Sequence, residues 1–117
     1  TAALLAKGVS GDASALDAHA ALRMATINGA KALGWQDQIG SLEAGKSADI
    51  IAVEINSLSQ QPLYNPASQL VYTNAGSQVS HSWVAGRALM KDRSLLTLNE
   101  AELIQTADNW RTQINPD

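Results

Sequence analysis

The chain has 117 residues, 45% of them hydrophobic and 16% charged, with 3 Trp, 2 Tyr, no Phe and a formal net charge of -3 at pH 7. This is ordinary globular usage, enough for one modest core and too apolar for a disordered tail. The acidic balance, with Lys7, Arg23, Lys31, Lys46, Arg87, Lys91, Arg93 and Arg111 dispersed, excludes the basic field a nucleic-acid backbone requires, and no apolar run approaches the roughly 20 residues that cross a bilayer.

The first residues, Thr1-Ala2-Ala3-Leu4-Leu5-Ala6-Lys7-Gly8, lack Met and already favour helix, so they read as an element entered midway. From Leu16 to Leu33 the residues Leu16, Ala20, Leu22, Met24, Ile27, Ala30 and Leu33 recur near helical spacing, with Ser14 and Asp17 forming a capping box. Thr26-Ile27-Asn28-Gly29 predicts a break, with Thr26 or Asn28 capping a second short helix that stops with Gly34 in the C′ position. Gln36 to Gly40 is turn-rich, and Ala48 to Glu54 is a β-type run. Asn56 to Pro66 predicts a long surface connection ending in a proline-initiated helix over Pro66 to Tyr72. Val79 to Val84 alternates as a half-buried strand, and Ala85-Gly86 turns it into a hairpin with Arg87 to Met90. Thr97-Leu98-Asn99-Glu100 predicts a second capping box, opening an amphipathic helix with Leu103, Ile104, Ala107, Trp110 and Ile114 on its apolar face.

Gly40-Ser41-Leu42-Glu43-Ala44-Gly45-Lys46-Ser47 satisfies the phosphate-loop pattern letter for letter. Its context argues against that role, because a phosphate loop follows a strand and opens a helix, whereas here a strand follows. Glu43 would also place a carboxylate in an anion cradle, so the loop reads as a two-glycine turn with Lys46 solvated. With no Cys there is neither a disulfide nor a thiolate site, and a cytoplasmic setting is expected. The two histidines are far apart. His19 does not share a helix face with Asp17, and His81 is expected on the strand face opposite the partners of Trp83 or in a rim contact. No serine sits in a nucleophile elbow, and Asp12, Asp37 and Glu43 lie in turns. Asp49 is expected to accept backbone N–H bonds from the Gly45-Lys46 turn.

Taken in order, Leu22-Arg23-Met24-Ala25-Thr26-Ile27-Asn28-Gly29-Ala30-Lys31-Ala32-Leu33-Gly34, Ile39 to Leu42, Gly45 to Ile50, Leu70-Val71-Tyr72, Val79 and Trp83 to Arg87 resemble the carboxy-terminal region of the metal-dependent amidohydrolase superfamily. The likeness is strongest to the 5-methylthioadenosine and S-adenosylhomocysteine deaminases and related chlorohydrolase-like enzymes. It implies an α+β piece of a larger fold: residues 1–35 as the last helices of a (β/α)8 barrel, 36–97 as part of a composite β-sandwich, and 98–117 as a carboxy-terminal helix packing back. The family's H-x-H motif, later histidines and final strand aspartate would all precede Thr1. The resemblance therefore carries over no catalytic residue and no metal ligand, and assigns no substrate-binding residue. It further implies, for the intact enzyme, a divalent metal, foremost zinc, whose activated water attacks an aminopurine carbon and releases ammonia. The expected partners are the remaining polypeptide and possible further copies of the protein, with neither nucleic acid nor membrane. The competing expectations are a stand-alone, non-catalytic β-sandwich interaction module and nucleotide binding at Gly40 to Ser47.

Overall fold

The computed structural model describes residues 1–115. Helix α1, Ala2–Ser10, ends at Gly11, and helix α2, Ala18–Ala25, begins at Asp17, whose carboxylate accepts the Ala20 N–H at 2.7 Å. Ser14 is engaged with Asp12 instead, donating to its Oδ1 through both N–H and hydroxyl. This corrects the Ser14/Asp17 capping box: Leu16 has a φ of 49°, which takes the preceding residues off the helical path and leaves Asp17 as the cap. The break at Thr26 is present, and helix α3, Ile27–Ala32, follows it. Thr26 occupies the N-cap position, but its hydroxyl donates back to the Leu22 carbonyl at 2.7 Å, so it closes α2 rather than capping α3. Gly34, with φ of 73°, is the left-handed stop its position predicts.

Four strands form one antiparallel sheet in the order of the chain: β1 Ile50–Val53, β2 Val79–Val84, β3 Arg87–Lys91 and β4 Ser94–Leu95. Ile50 faces Trp83 across β1 and β2, and a register shift between Ala52 and Val53 bends the β1 end. Ala85 and Gly86 both have positive φ, 48° and 77°, as a two-residue hairpin turn of the primed kind demands. The short β4 was not evident in the sequence, although Asp92 and Arg93, with φ of 48° and 65°, repeat the same turn device.

Between β1 and β2 the chain makes a 3-10 turn, Leu58–Gln60, and then helix α4, Pro66–Tyr72, with Pro66 in its first turn and the Asn65 side chain accepting the Ser68 N–H at 3.0 Å. This connection is not wholly superficial. Gln60 is buried, and its side-chain oxygen accepts from Gln69 Nε2 at 2.7 Å, which satisfies a polar group that would otherwise be costly to enclose. Helix α2 is the hub of the helical layer, packing on α1, α3 and α4. The buried apolar residues are all small: Ala3, Ala18, Ala30, Ala67 and Ala75.

Helix α5, Glu100–Ile114, is capped by Asn99, which accepts from the Ala101 and Glu102 N–H groups at 3.1 and 3.4 Å, while Asn99 Nδ2 donates to Glu102 at 2.9 Å. The reciprocal cap thus lies two residues beyond the expected Thr97/Glu100 pair, because Asn is an equally good cap and Glu102 stands at its N3 position. None of the residues of α5 is buried.

The architecture is therefore α+β, with one layer of helices, one sheet and one outlying helix. A 12.3 kDa monomer ordinarily exposes about 6,100 Å², whereas this chain exposes 8635 Å². Its radius of gyration is 18.1 Å, against roughly 13 Å for a compact domain of this length. Large apolar side chains are exposed on α1, on the 54–65 connection and on α5, and also elsewhere, as at Trp35, Leu42 and Ile51.

Candidate functional site

The Gly40 to Asp49 segment is the best-defined cluster of polar side chains. Gly40 has φ of 93° and lies so close to α3 that a Cβ there would sit 2.8 Å from Ala30 Cβ and 2.9 Å from Ile27 Cα, so the position is closed to any side chain. From this anchor the turn doubles back, with the Ser47 N–H donating to the Gln38 carbonyl at 2.8 Å. Inside it, Ser41 Oγ donates to Glu43 Oε1 and accepts from Lys46 Nζ, both at 2.6 Å, and Lys46 lies 3.5 Å from Glu43. The Ser41 hydroxyl, and after it the Lys46 ammonium, hold the Glu43 carboxyl below its usual range.

This closed triad decides between the readings of the loop. The Lys46 side chain is only 13% exposed and its charge is engaged, which corrects the expectation of a solvated lysine. A strand, β1, follows the loop, so no run of helix-terminal N–H groups faces it. The shallow, open depression beside Ser41, Leu42, Lys46 and Ile50 is the outer surface of a turn.

Asp49 has a structural bond with a different partner from the one expected. Its Oδ1 accepts the Ala85 N–H at 2.7 Å, and the Gly86 N–H donates to the Ala48 carbonyl at 3.0 Å, so the residues before β1 clasp the β2–β3 turn rather than the Gly45-Lys46 turn. The physical reason is register. Ile50 pairs with Trp83, which brings position 49 beside the hairpin tip.

His19 is exposed on α2, and the neighbouring Asp17 carboxylate is occupied by its cap. His81 is placed differently from expectation. Residues two apart on a strand share a face, and the His81 and Trp83 rings stack with centroids 5.5 Å apart and planes 10° from parallel. His81 Nδ1 lies 3.0 Å from Ser80 Oγ, and Nε2 lies 3.5 Å from Asp92 Oδ1. One imidazole beside one carboxylate is half of the donor set that zinc normally takes, and no group of three or more His, Cys, Asp or Glu residues stands together among the described residues. These side chains do not fit a metal centre.

The fold, the Gly40 to Asp49 turn and the clasped hairpin coincide with a known pattern. A profile of the amidohydrolase family matches residues 1–89, and the chain belongs to this family. Among curated relatives, it is 57% identical over 113 residues to 5-methylthioadenosine/S-adenosylhomocysteine deaminase of Teredinibacter turnerae, covering 97% of this chain and 26% of the relative. It is 45% identical over 114 residues to the protein of the same name from Saccharophagus degradans, again covering 97% of this chain and 26% of the relative. The crystal structure of an adenosine deaminase from Xanthomonas campestris with bound zinc superposes with a TM-score of 0.92 at 46% identity, over 97% of this chain and 26% of that one. Atrazine chlorohydrolase from Arthrobacter aurescens, complexed with zinc, superposes with a TM-score of 0.74 at 27% identity, over 81% of this chain and 21% of that one. The chain thus spans about a quarter of the length of the curated relatives it matches.

Proposed function

We propose that these 117 residues are the scaffold portion of a hydrolytic deaminase of adenosine-type substrates, with the metal ligands and substrate-binding residues supplied by other parts of the longer polypeptide. The carrying observation is 57% identity across 97% of the chain with a 5-methylthioadenosine/S-adenosylhomocysteine deaminase. In this reading residues 1–35 are the last helices of the (β/α)8 barrel, 36–97 are one part of a composite β-sandwich, and 98–117 are an added helix of which 116 and 117 lie outside the described residues. The single sheet and its uncovered apolar surroundings support a composite sandwich, since a lone antiparallel sheet must bury one face against a second layer. A divalent metal, foremost zinc, belongs to the whole enzyme in this proposal; none of its ligands is assigned here, and neither is any catalytic residue. A cytoplasmic setting is proposed from the absence of cysteine. No helix among the described residues is long and apolar enough to cross a membrane.

The test compares the 117-residue chain with the complete gene product. The complete protein should release ammonia from 5′-methylthioadenosine, S-adenosylhomocysteine or adenosine and retain metal through gel filtration. The 117 residues alone should do neither. Inertness of the complete, metal-loaded protein toward all three nucleosides would refute the substrate class, and turnover by the 117 residues alone would refute the scaffold role. A cooperative melt of the isolated, monomeric chain would support an interaction module instead.

A further inference from the structure

The β3–β4 turn is tied to the end of the sheet by polar side chains that the scaffold role leaves unused. Asp92 and Arg93 both have positive φ, 48° and 65°, a conformation that a residue with a Cβ enters at a cost, so the turn needs holding from outside. Arg93 holds it in three ways: its N–H donates to the Ser80 carbonyl at 2.9 Å, and its guanidinium donates to Glu54 Oε2 at 3.1 Å and to Gln78 Oε1 at 3.0 Å. Asp92 is not engaged in this way. Its side chain is 75% exposed, and its Oδ1 stands 3.5 Å from His81 Nε2, beyond a good hydrogen bond.

The state of the His81 ring decides whether that gap closes. Stacking on Trp83 keeps the imidazole in place, and the buried Ser80 hydroxyl, which donates to the Ala52 carbonyl at 3.4 Å, offers its lone pairs to His81 Nδ1 at 3.0 Å. The proton of the neutral ring is thereby assigned to Nδ1, which leaves Nε2 as a bare lone pair facing a carboxylate. Imidazole is the side chain that gains its charge between about pH 8 and pH 5. The incoming proton goes to Nε2, where it replaces that opposition with an N–H···O bond between opposite charges. The other charges at this end of the sheet do not reverse the sign. On β1, Ala52 is level with His81, and Glu54 beyond it matches the Arg93 charge of the turn. No other residue of β2 titrates, nor does any in the 3-10 turn before it, Ala75–Gln78, and Lys91 on β3 is an exposed ammonium screened by solvent.

We propose that His81 is a protonation-operated latch: its imidazolium draws in Asp92 and fastens the β3–β4 turn to β2, and its neutral ring lets the turn loosen. The latch is independent of the substrate reading. Hydrogen exchange in the complete protein tests it through the Arg93 and Leu96 amides, which donate to the Ser80 and Leu89 carbonyls. Their protection, corrected for the chemical exchange rate, should be about threefold greater at about pH 5.5 than at about pH 8, the scale of one exposed ion pair. Asp92→Asn keeps the turn, because asparagine tolerates a left-handed backbone, and His81→Gln cannot take up a proton; each should abolish the ratio between the two pH values. Glu54→Gln should lower protection at both pH values and leave the ratio intact. A wild-type ratio of one, a ratio that survives in either of the first two variants, or a ratio that disappears in Glu54→Gln overturns the latch. So does protection that falls in acid, which would assign the response to loss of the Glu54 to Arg93 pair.

Discussion

Asp49 joins segments 36 residues apart through one bond to the Ala85 N–H, and a carboxylate acceptor makes it a charge-assisted bond. Asp49→Ala should lower stability by about 1 kcal/mol, and Asp49→Asn by less because the amide oxygen still accepts, as measured by urea melts of the complete protein. Gly40 and Gly45 share a φ of 93° but differ in surroundings, since only Gly40 is pressed against α3. Gly40→Ala should therefore cost about 2–4 kcal/mol, adding overpacking to backbone strain, and Gly45→Ala about 1–2 kcal/mol from strain alone. Equal losses would mean that the contact with Ala30 and Ile27 is unimportant. Three exposed carboxyls have lowered pKa values: Asp12 through the Ser14 hydroxyl, Asp17 through the Ala20 N–H, and Glu43 through the Ser41 hydroxyl. The folded state holds these protons less tightly than the unfolded state, so their contribution is present above the ordinary values of 3.8 and 4.5 and is lost as pH falls through the lowered ones. Melting temperature should decline in that acidic window, and Asp17→Asn should make the decline shallower.

At the level of elements, the hairpin turn contains an avoidable strain. Ala85 sits at a φ of 48°, where a Cβ is unfavourable and Asn or Gly is preferred. Ala85→Asn should raise stability by about 0.5–1 kcal/mol, because Asn-Gly is the favoured pair for this turn, and a fall in melting temperature would show that the Ala85 methyl makes a contact of its own. The elements themselves were legible where one local rule dominated: the break at Thr26, the Gly34 stop, the Pro66 helix start and the Ala85-Gly86 turn are each written in two or three residues. Positions decided by competition between neighbouring polar side chains were not. Both capping boxes were misplaced by a few residues, since Ser14, Asp17, Thr97 and Asn99 are all capable caps and only the backbone path chooses among them. Strand β4 has two residues, too few for any alternation to register. Of the candidate site, the structural task of Asp49 was legible, but its partner depends on cross-strand register. The shared face of His81 and Trp83 could have been read from their spacing of two.

At the level of the whole molecule, the surface area carries the argument. An excess of about 2,500 Å² over a compact monomer of this mass is comparable with one side of a large permanent interface. In isolation the 117 residues should bind a hydrophobic dye and self-associate, and both effects should vanish in the complete protein. A dye-silent monomer would show that the exposed faces close on one another. The smallness of the buried apolar residues, all of them alanine among the described residues, bears on how such a body responds to load. A buried methyl group interlocks little with its surroundings, and the long side chains that cross between helices are few, Lys7 of α1 over the Tyr72 ring of α4 among them. Resistance to sideways slip then falls to a few pinned joints, among them the Gln60 to Gln69 bond and the seat of Gly40 against α3.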